Sequence, residues 1–130
     1  MNQKLVKEFL SKNIFAVVGV SRNPKKYGYK VYKDLKEAGY KVYPINPQAK
    51  KILGEKCYPS LRELPELPEV VNFVVQPEVT KKVLQECQKL GIKRVWLQPG
   101  SESKEAIKFC QEKNIKVIYG ACIMTKRKEI

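Results

Sequence analysis

One segment near the N-terminus constrains the fold more than any other part of the sequence. Residues 14–22 read Ile-Phe-Ala-Val-Val-Gly-Val-Ser-Arg, and Asn23-Pro24 follow at once. The apolar, mostly β-branched run predicts a strand over 14–20, and Asn23 as N-cap with Pro24 at the first helical position predicts a helix directly after it. This order predicts the first unit of a parallel α/β sheet. The unpaired N–H groups at the start of such a helix favour a bound phosphate.

The rest of the sequence alternates between helical and extended patterns. Helices are predicted over 1–12, 24–38, 60–64, 77–90 and 101–113, and strands over 14–20, 40–45, 70–75, 93–98 and 115–119, with a short strand and turn around Gly54 and Cys57. Three helix-to-strand junctions share a helix-ending residue, an apolar residue and a lysine; they begin at Gly39, Gly91 and Asn114. We therefore expect an α/β fold with a mainly parallel sheet and right-handed crossovers.

Length and charge limit the function classes. The 130 residues suffice for a single domain over 1–130, in which the basic tail at 124–130 is expected to fray. No apolar run approaches the roughly 20 residues that span a bilayer, so a soluble, cytoplasmic protein without a membrane partner is expected. The net charge of +13 favours anionic partners. A lysine-rich solvated surface, a nucleic-acid patch and a site for a phosphate-rich small ligand all fit this charge.

Histidine and cysteine usage restricts the chemistry. The sequence contains no histidine, which excludes mechanisms with a histidine base, and its four cysteines form no Cys-x-x-Cys pair. No metal site is therefore expected. Cys87 and Cys110 fall on apolar helix faces and are predicted core residues. Cys122 follows a strand, and an inert thiol is favoured over a redox role because neither a neighbouring basic residue nor a helix start is apparent to lower its pKa.

The residues that follow the predicted strands are the candidates for a ligand site, because open α/β sheets bind ligands beyond the carboxyl ends of their strands. These residues are Gly19-Val20-Ser21-Arg22, Asn46-Pro47, Val75-Gln76-Pro77, Gln98-Pro99-Gly100 and Gly120-Ala121-Cys122. They include no carboxylate. A dinucleotide site needs three glycines after the first strand and an acid after the second, so NAD is disfavoured. A receiver domain needs clustered aspartates, whereas Asp34 is the one aspartate in the sequence, and a Walker loop is missing.

An anion site at the first helix start is the remaining possibility. Four cations flank it: Arg22, Lys25, Lys26 and Lys30. Together with the Ser21 hydroxyl and the backbone N–H groups they suit a pyrophosphate and a further phosphate, although each cation alone is more often a solvated surface charge. Pro47 and Pro77 suit flat walls beside an adenine, and they serve equally well as turn and helix-start residues.

Several of these motifs, taken in order, resemble the small stand-alone CoA-binding protein family. They are Val17-Val18-Gly19-Val20-Ser21-Arg22-Asn23-Pro24, Lys26, Tyr29-Lys30-Val31, Gly39-Tyr40-Lys41-Val42-Tyr43-Pro44-Ile45-Asn46-Pro47, Gly54, Tyr58-Pro59-Ser60-Leu61 and Trp96-Leu97-Gln98-Pro99-Gly100. The resemblance covers residues 10–123. That family is similar to the CoA-binding domain of the succinyl-CoA synthetase α subunit and of ADP-forming acyl-CoA synthetases.

The resemblance implies a three-layer, Rossmann-like fold with strand order 3-2-1-4-5-6 that binds coenzyme A at the strand ends. It also implies a role for each motif residue. Gly19, Val20 and Ser21 would hold the phosphates, Arg22 and Lys26 would neutralise them, Asn46 and Pro47 would border the nucleotide, Val75 and Pro77 would line a channel toward the pantetheine arm, and Gln98 and Gly100 would close the far side.

Three functions remain open at this point. The favoured one is binding of coenzyme A or an acyl-CoA without catalysis, because the related synthetases need a phosphohistidine and an ATP-grasp partner domain, and the sequence provides neither. The first alternative is a subunit of a multi-chain CoA-transferring enzyme. The second is a basic nucleic-acid-binding protein. A homo-oligomer fits the sequence as well as a monomer.

Overall fold

A computed structural model describes residues 2–129. The strands are β1 (Ile14–Val18), β2 (Lys41–Ile45), β3 (Lys51–Ile52), β4 (Glu55–Lys56), β5 (Val70–Phe73), β6 (Arg94–Leu97) and β7 (Lys116–Ile118). The helices are α1 (Gln3–Leu10), α2 (Tyr27–Glu37), α3 (Pro77–Leu90), α4 (Lys104–Glu112) and α5 (Ile123–Glu129), and a 3-10 turn covers Leu61–Glu63. Five strands form one parallel sheet in the order β2-β1-β5-β6-β7, while β3 and β4 form a separate hairpin.

The Rossmann-like architecture is confirmed, with one element reduced in size. The third predicted strand contributes a single parallel bridge, between Tyr58 and Ile45 at the outer edge of β2. Tyr58 N donates to Pro44 O and Asn46 N donates to Tyr58 O, both at 2.9 Å. In the numbering of the predicted strands, the observed order is therefore 2-1-4-5-6 with residue Tyr58 in the place of strand 3.

The helices cover both faces of the sheet. One face packs against α1, α2 and α5 around buried residues such as Phe9, Leu35 and Trp96. The other packs against α3 and α4, where Cys87 and Cys110 are fully buried, as predicted. Two layers of helices around a central sheet give the three-layer arrangement implied by the resemblance. Within residues 2–129, the helices are too short or too polar to cross a membrane.

The start of α2 differs from its predicted position. Asn23 and Pro24 do not begin a helix; they form a turn in which Lys26 N donates to Asn23 O at 3.0 Å, and α2 begins at Tyr27. The Asn23 side chain accepts a hydrogen bond from Lys25 N, also at 3.0 Å. Asn-Pro suits the first two positions of a β-turn as well as it suits a helix start. The sequence pattern therefore fixed the presence of the helix but not its first residue.

Two further predictions at helix ends are wrong. Ser103, not Ser101, caps α4 by accepting from Ala106 N at 3.1 Å, whereas Ser101 is buried and accepts from Val75 N at 3.0 Å. The tail expected to fray forms α5 over Ile123–Glu129, and only Ile130 of that segment lies outside the described residues. Ile123 is fully buried and provides the apolar anchor that the basic composition of the tail concealed.

Candidate functional site

A cleft of about 400 Å³ lies at the carboxyl ends of the central strands. It occupies the point where β1 and β5 run side by side while α2 and α3, the helices that follow them, lie on opposite faces of the sheet. Parallel sheets bind ligands at this kind of switch point. Six residues predicted for the site line the cleft: Gly19, Val20, Ser21, Asn46, Pro47 and Val75.

The other predicted site residues lie outside this cleft. Gly100 borders an adjoining groove of about 490 Å³, which shares Val75 and Val79 with the cleft. Arg22 and Lys26 are exposed on the loop between β1 and α2. Pro77 is the first residue of α3. The last of them, Gln98, is fully buried.

Two glycines let the loop after β1 approach the backbone of the residue that follows β5 and the start of α2. Gly19 has a φ of +102°, and a Cβ atom there would lie 2.2 Å from Val74 O. A Cβ atom on Gly28 would lie 2.1 Å from Gly19 O. Neither position has room for a side chain, so the first turn of α2 sits against the backbone of the loop that leaves β1. This is the close approach on which phosphate-binding strand-turn-helix units depend.

Asn46 connects the two loops that form the cleft wall. Its Nδ2 donates to Val20 O at 2.8 Å, and its Oδ1 accepts from Gln48 N at 2.8 Å. The loop after β1 is further fixed by Ile45 O, which accepts from Gly19 N at 3.1 Å. Because both polar atoms of its side chain form hydrogen bonds within the protein, Asn46 links the loop between β1 and α2 to the loop between β2 and β3.

The helix starts at this end of the sheet are electrostatically suited to an anion. Among the described residues no side chain caps α2 or α3, whereas Asn2 caps α1 and Ser103 caps α4. Uncapped N-termini leave N–H groups and a partial positive charge available. The loop before α2 adds Arg22, Lys25 and Lys26, and none of these three forms an ion pair within residues 2–129. The site combines apolar walls with free N–H groups and cations, an arrangement that suits a ligand with both apolar and phosphate parts.

Gln98 is an internal connector, not part of the cleft wall. Its Nε2 donates to Tyr27 Oη at 2.7 Å and to Cys122 Sγ at 3.3 Å. Its Oε1 accepts from Asn72 Nδ2 at 3.1 Å and from Ile123 N at 2.9 Å. With both polar atoms engaged inside the protein, Gln98 ties the starts of α2 and α5 to the centre of the sheet.

Several residues of the site carry no sequence signal for ligand binding. Pro59, Ser60 and Leu61 belong to the motifs of the resemblance without an implied role, and they line the cleft together with Gln48, Val79 and Val83. Val79 and Val83 belong to the apolar face of a helix, which by itself indicates core packing. A sequence signal existed for Gly28, because a glycine in the first turn of a helix disfavours that helix unless something must approach closely.

Comparison with known proteins identifies relatives for most of the chain. The model of a CoA-binding domain matches residues 13–128. The α subunit of an ADP-forming acetate-CoA ligase (II) from Pyrococcus furiosus is 32% identical over 126 residues, covering 88% of this chain and 28% of the subunit. The chain thus spans about a quarter of that relative's length. The uncharacterized protein YneT of Bacillus subtilis is 35% identical over 120 residues, covering 91% of this chain and 88% of YneT.

A solved structure agrees with these similarities. A hypothetical protein from Pyrococcus horikoshii has 34% identity and a TM-score of 0.94, covering 99% of this chain and 92% of the other. The match over nearly the full length of both chains supports the fold described above.

Proposed function

The chain belongs to the family of CoA-binding domains, and on that premise we propose that it binds coenzyme A or an acyl-CoA in the cleft at the carboxyl ends of β1, β2 and β5. The observation that carries this proposal is the contact between Gly19 and Gly28. It places the uncapped start of α2 directly beside the cleft, where a phosphate group gains both free N–H donors and the helix dipole.

The shape of the site supports an elongated ligand. The cleft and the adjoining groove meet at Val75 and Val79, so a ligand can extend from one into the other. In the proposed arrangement, Pro47 and Asn46 border the nucleotide at one end. The pantetheine arm passes Val75 and the start of α3 at Pro77 toward the groove at Gly100.

The phosphates are assigned to the loop between β1 and α2. The backbone of Gly19 and Val20 cradles the pyrophosphate, but their N–H groups already donate to Ile45 O. The donors to the phosphates are therefore the Ser21 hydroxyl and the N–H groups at the uncapped start of α2, and Arg22 and Lys26 supply positive charge. Gln98 contributes indirectly. Its Nε2 donates a hydrogen bond to Tyr27 Oη at 2.7 Å and so positions the first residue of α2. It has no contact with the ligand in this proposal.

The residues of the cleft favour ligand binding without catalysis. The sequence has no histidine, and the cleft wall carries no carboxylate, so the common side chains for phosphoryl transfer and for general acid or base catalysis are missing from it. The cleft residues bind and orient a ligand, and its reactive end is left to another protein.

Calorimetric titration with coenzyme A, 3′-dephospho-CoA and NAD tests the proposal. We expect tight binding of coenzyme A, weaker binding without the 3′-phosphate and none of NAD. Lys26→Glu should weaken CoA binding more than tenfold, because hydrogen bonds to charged groups contribute about 1.5–3 kcal/mol. Lys93→Glu makes the same charge change just before β6, at the opposite, amino end of the strands, and this variant should bind normally. Failure of all three ligands to bind the wild type would refute the proposal.

A second candidate function is favoured by the P. furiosus ligase subunit, of which this chain matches 28%. In that case the chain is one subunit of a CoA-transferring enzyme. Untagged protein that copurifies with an ATP-grasp chain, and forms acetyl-CoA from acetate, ATP and CoA only in its presence, would support this function. A homogeneous monomer or homodimer from the same extract would argue against it.

Nucleic-acid binding is a third candidate function, because the net charge of +13 favours anionic partners. Counterion release makes such binding steeply salt-dependent. A duplex that displaces coenzyme A at physiological salt would support nucleic-acid binding, and a duplex that dissociates there while coenzyme A stays bound would reject it.

A further inference from the structure

Cys122 differs from the other three cysteines in its surroundings. Cys57, Cys87 and Cys110 are buried, whereas Cys122 is partly exposed. It follows β7 and immediately precedes α5. The sequence indicated an inert thiol because no helix start was apparent next to it. The structure corrects that expectation, because the segment that was expected to fray forms α5, which begins directly after Cys122.

Hydrogen-bond donors from three parts of the chain converge on the Cys122 sulfur. Tyr27 Oη donates to it at 2.7 Å from the start of α2, and Gln98 Nε2 donates at 3.3 Å from the end of β6. Backbone N–H groups of Met124 and Thr125 in α5 add to them. Burial opposes ionisation, but these donors outweigh it and lower the pKa of the Cys122 thiol. A thiolate is the nucleophilic form of cysteine.

A buried polar chain supports these donors from inside the sheet. Gln98 and Asn72 are both fully buried, and Asn72 Nδ2 donates to Gln98 Oε1 at 3.1 Å. The other polar atom of Asn72, Oδ1, has no partner within the described residues. An unpartnered buried acceptor destabilises a fold, and apolar residues would fill this position without that cost. Asn72 fixes Gln98 from inside the sheet, and Gln98 Nε2 in turn bonds both Tyr27 Oη and the Cys122 sulfur.

We propose that Cys122 is a nucleophilic thiol that undergoes exchange with disulfides of low-molecular-weight thiols. The Cys122 thiolate attacks one sulfur of the small disulfide, a new S–S bond forms to Cys122, and the old S–S bond breaks. The displaced thiolate leaves with the electron pair of that bond and takes a proton from solvent. A second thiol reverses the reaction by the same exchange, so no further oxidant is needed.

Tyr27 is a positioning residue in this exchange, because it acts through the sulfur and not on the incoming disulfide. Within the described residues it is the one titratable side chain that is hydrogen-bonded to Cys122. Of the three cations in α5, Arg127 pairs with Asp34 and Lys126 with Glu129, and Lys128 is exposed. The pH dependence of the reaction should therefore report on the Tyr27–Cys122 pair.

The test is the rate of adduct formation on fully reduced protein, followed by intact mass and peptide mapping from pH 5 to 9. The probes are glutathione disulfide and CoA disulfide. We expect one adduct, at Cys122, with both probes. A large preference for CoA disulfide that Lys26→Glu abolishes would identify the cleft as the source of the reagent, and equal rates would identify the solvent pool. No adduct over hours, or equal labelling of all four cysteines, overturns the proposal.

Two tyrosine variants separate the role of Tyr27 from a general structural effect. Tyr27→Phe should raise the midpoint of the pH–rate profile and slow exchange at low pH by about threefold per pH unit of that shift, since greater nucleophilicity offsets part of the lost thiolate. Tyr29→Phe, two positions along α2, should leave the profile unchanged. Identical profiles for the wild type and Tyr27→Phe would reject the positioning role. Cys122→Ser protein should still bind reduced coenzyme A. Binding by this variant would show that the exchange reaction and ligand binding are tested independently of each other.

Discussion

At the scale of single residues, the site depends on positions where a side chain is absent. Gly28 lies in the first turn of α2 with ordinary helical backbone angles, so its conformation does not require glycine. Glycine is required here because there is no space for a side chain: Gly19 O occupies the position that a Cβ atom would take. Helix propensity and packing therefore make opposite demands at Gly28, and packing prevails.

Gly28→Ala tests which of these two effects is larger. Propensity alone would stabilise the helix by about 1 kcal/mol, whereas overpacking costs about 1–3 kcal/mol. We expect net destabilisation in denaturant unfolding together with weaker CoA binding, because α2 must move away from the loop after β1. Lys33→Ala, on the exposed side of the same helix, should change neither by a measurable amount. A more stable Gly28→Ala protein with unchanged affinity would contradict this account.

At the scale of elements, α5 shows how a segment with an unfavourable local composition becomes ordered. Its single buried apolar residue is Ile123, and three consecutive cations follow at 126–128. Arg127 forms two hydrogen bonds to Asp34 in α2, at 2.8 and 3.0 Å. Because α5 carries the N–H groups that face Cys122, the order of this helix also sets the properties of that thiol.

Removing the Arg127 side chain should therefore loosen α5 specifically. Arg127→Ala leaves Asp34 partly buried without a partner, and we expect a loss of about 1–3 kcal/mol of stability. Faster amide exchange over residues 123–129 should accompany it. Lys128→Ala removes the same charge from an exposed position and serves as the matched control. Equal amide exchange in the two variants would show that the ion pair does not hold the helix.

At the scale of the whole molecule, 26 cations outnumber 13 carboxylates, and several of these carboxylates stabilise the folded state. Glu69 accepts hydrogen bonds from Asn13 N at 2.9 Å and Ile14 N at 3.1 Å, and these bonds lower its pKa. Hydrogen bonds from Lys116 and Arg94 likewise lower the pKa of Glu8. Both carboxylates join elements that are distant in the sequence, so their protonation weakens contacts across the molecule.

The protein should consequently lose stability in acid. A carboxylate with a lowered folded-state pKa contributes fully above its unfolded pKa, near 4.5, and the contribution disappears as pH falls through the folded value. We expect the Tm to fall steadily below about pH 4.5, helped by repulsion among the excess cations. Glu69→Gln keeps an acceptor oxygen but cannot titrate, so its Tm should depend less on pH. A wild-type slope in that variant would exclude Glu69 as a contributor.

The sequence by itself determined the alternation of helices and strands and the strand ends as the location of the candidate site. These properties depend on the periodicity of apolar residues and on glycine and proline at turns, which are local patterns. The resemblance added the sheet order, with Tyr58 standing where a full third strand was expected. Six of the eleven proposed site residues line the cleft, and their direct contact with coenzyme A remains a prediction.

Only the tertiary structure decided where α2 begins, that α5 forms and what surrounds Cys122. Each depends on a contact that forms only in the folded chain, and for α5 and Cys122 the partner is far away in the sequence. Gly28 packs against the backbone of Gly19. Arg127 bonds to Asp34, which lies 93 positions earlier in the sequence, and Gln98 bonds to Tyr27, which lies 71 positions earlier. Local patterns carry no information about such pairs, because their free energy exists only once the sheet has brought both partners together.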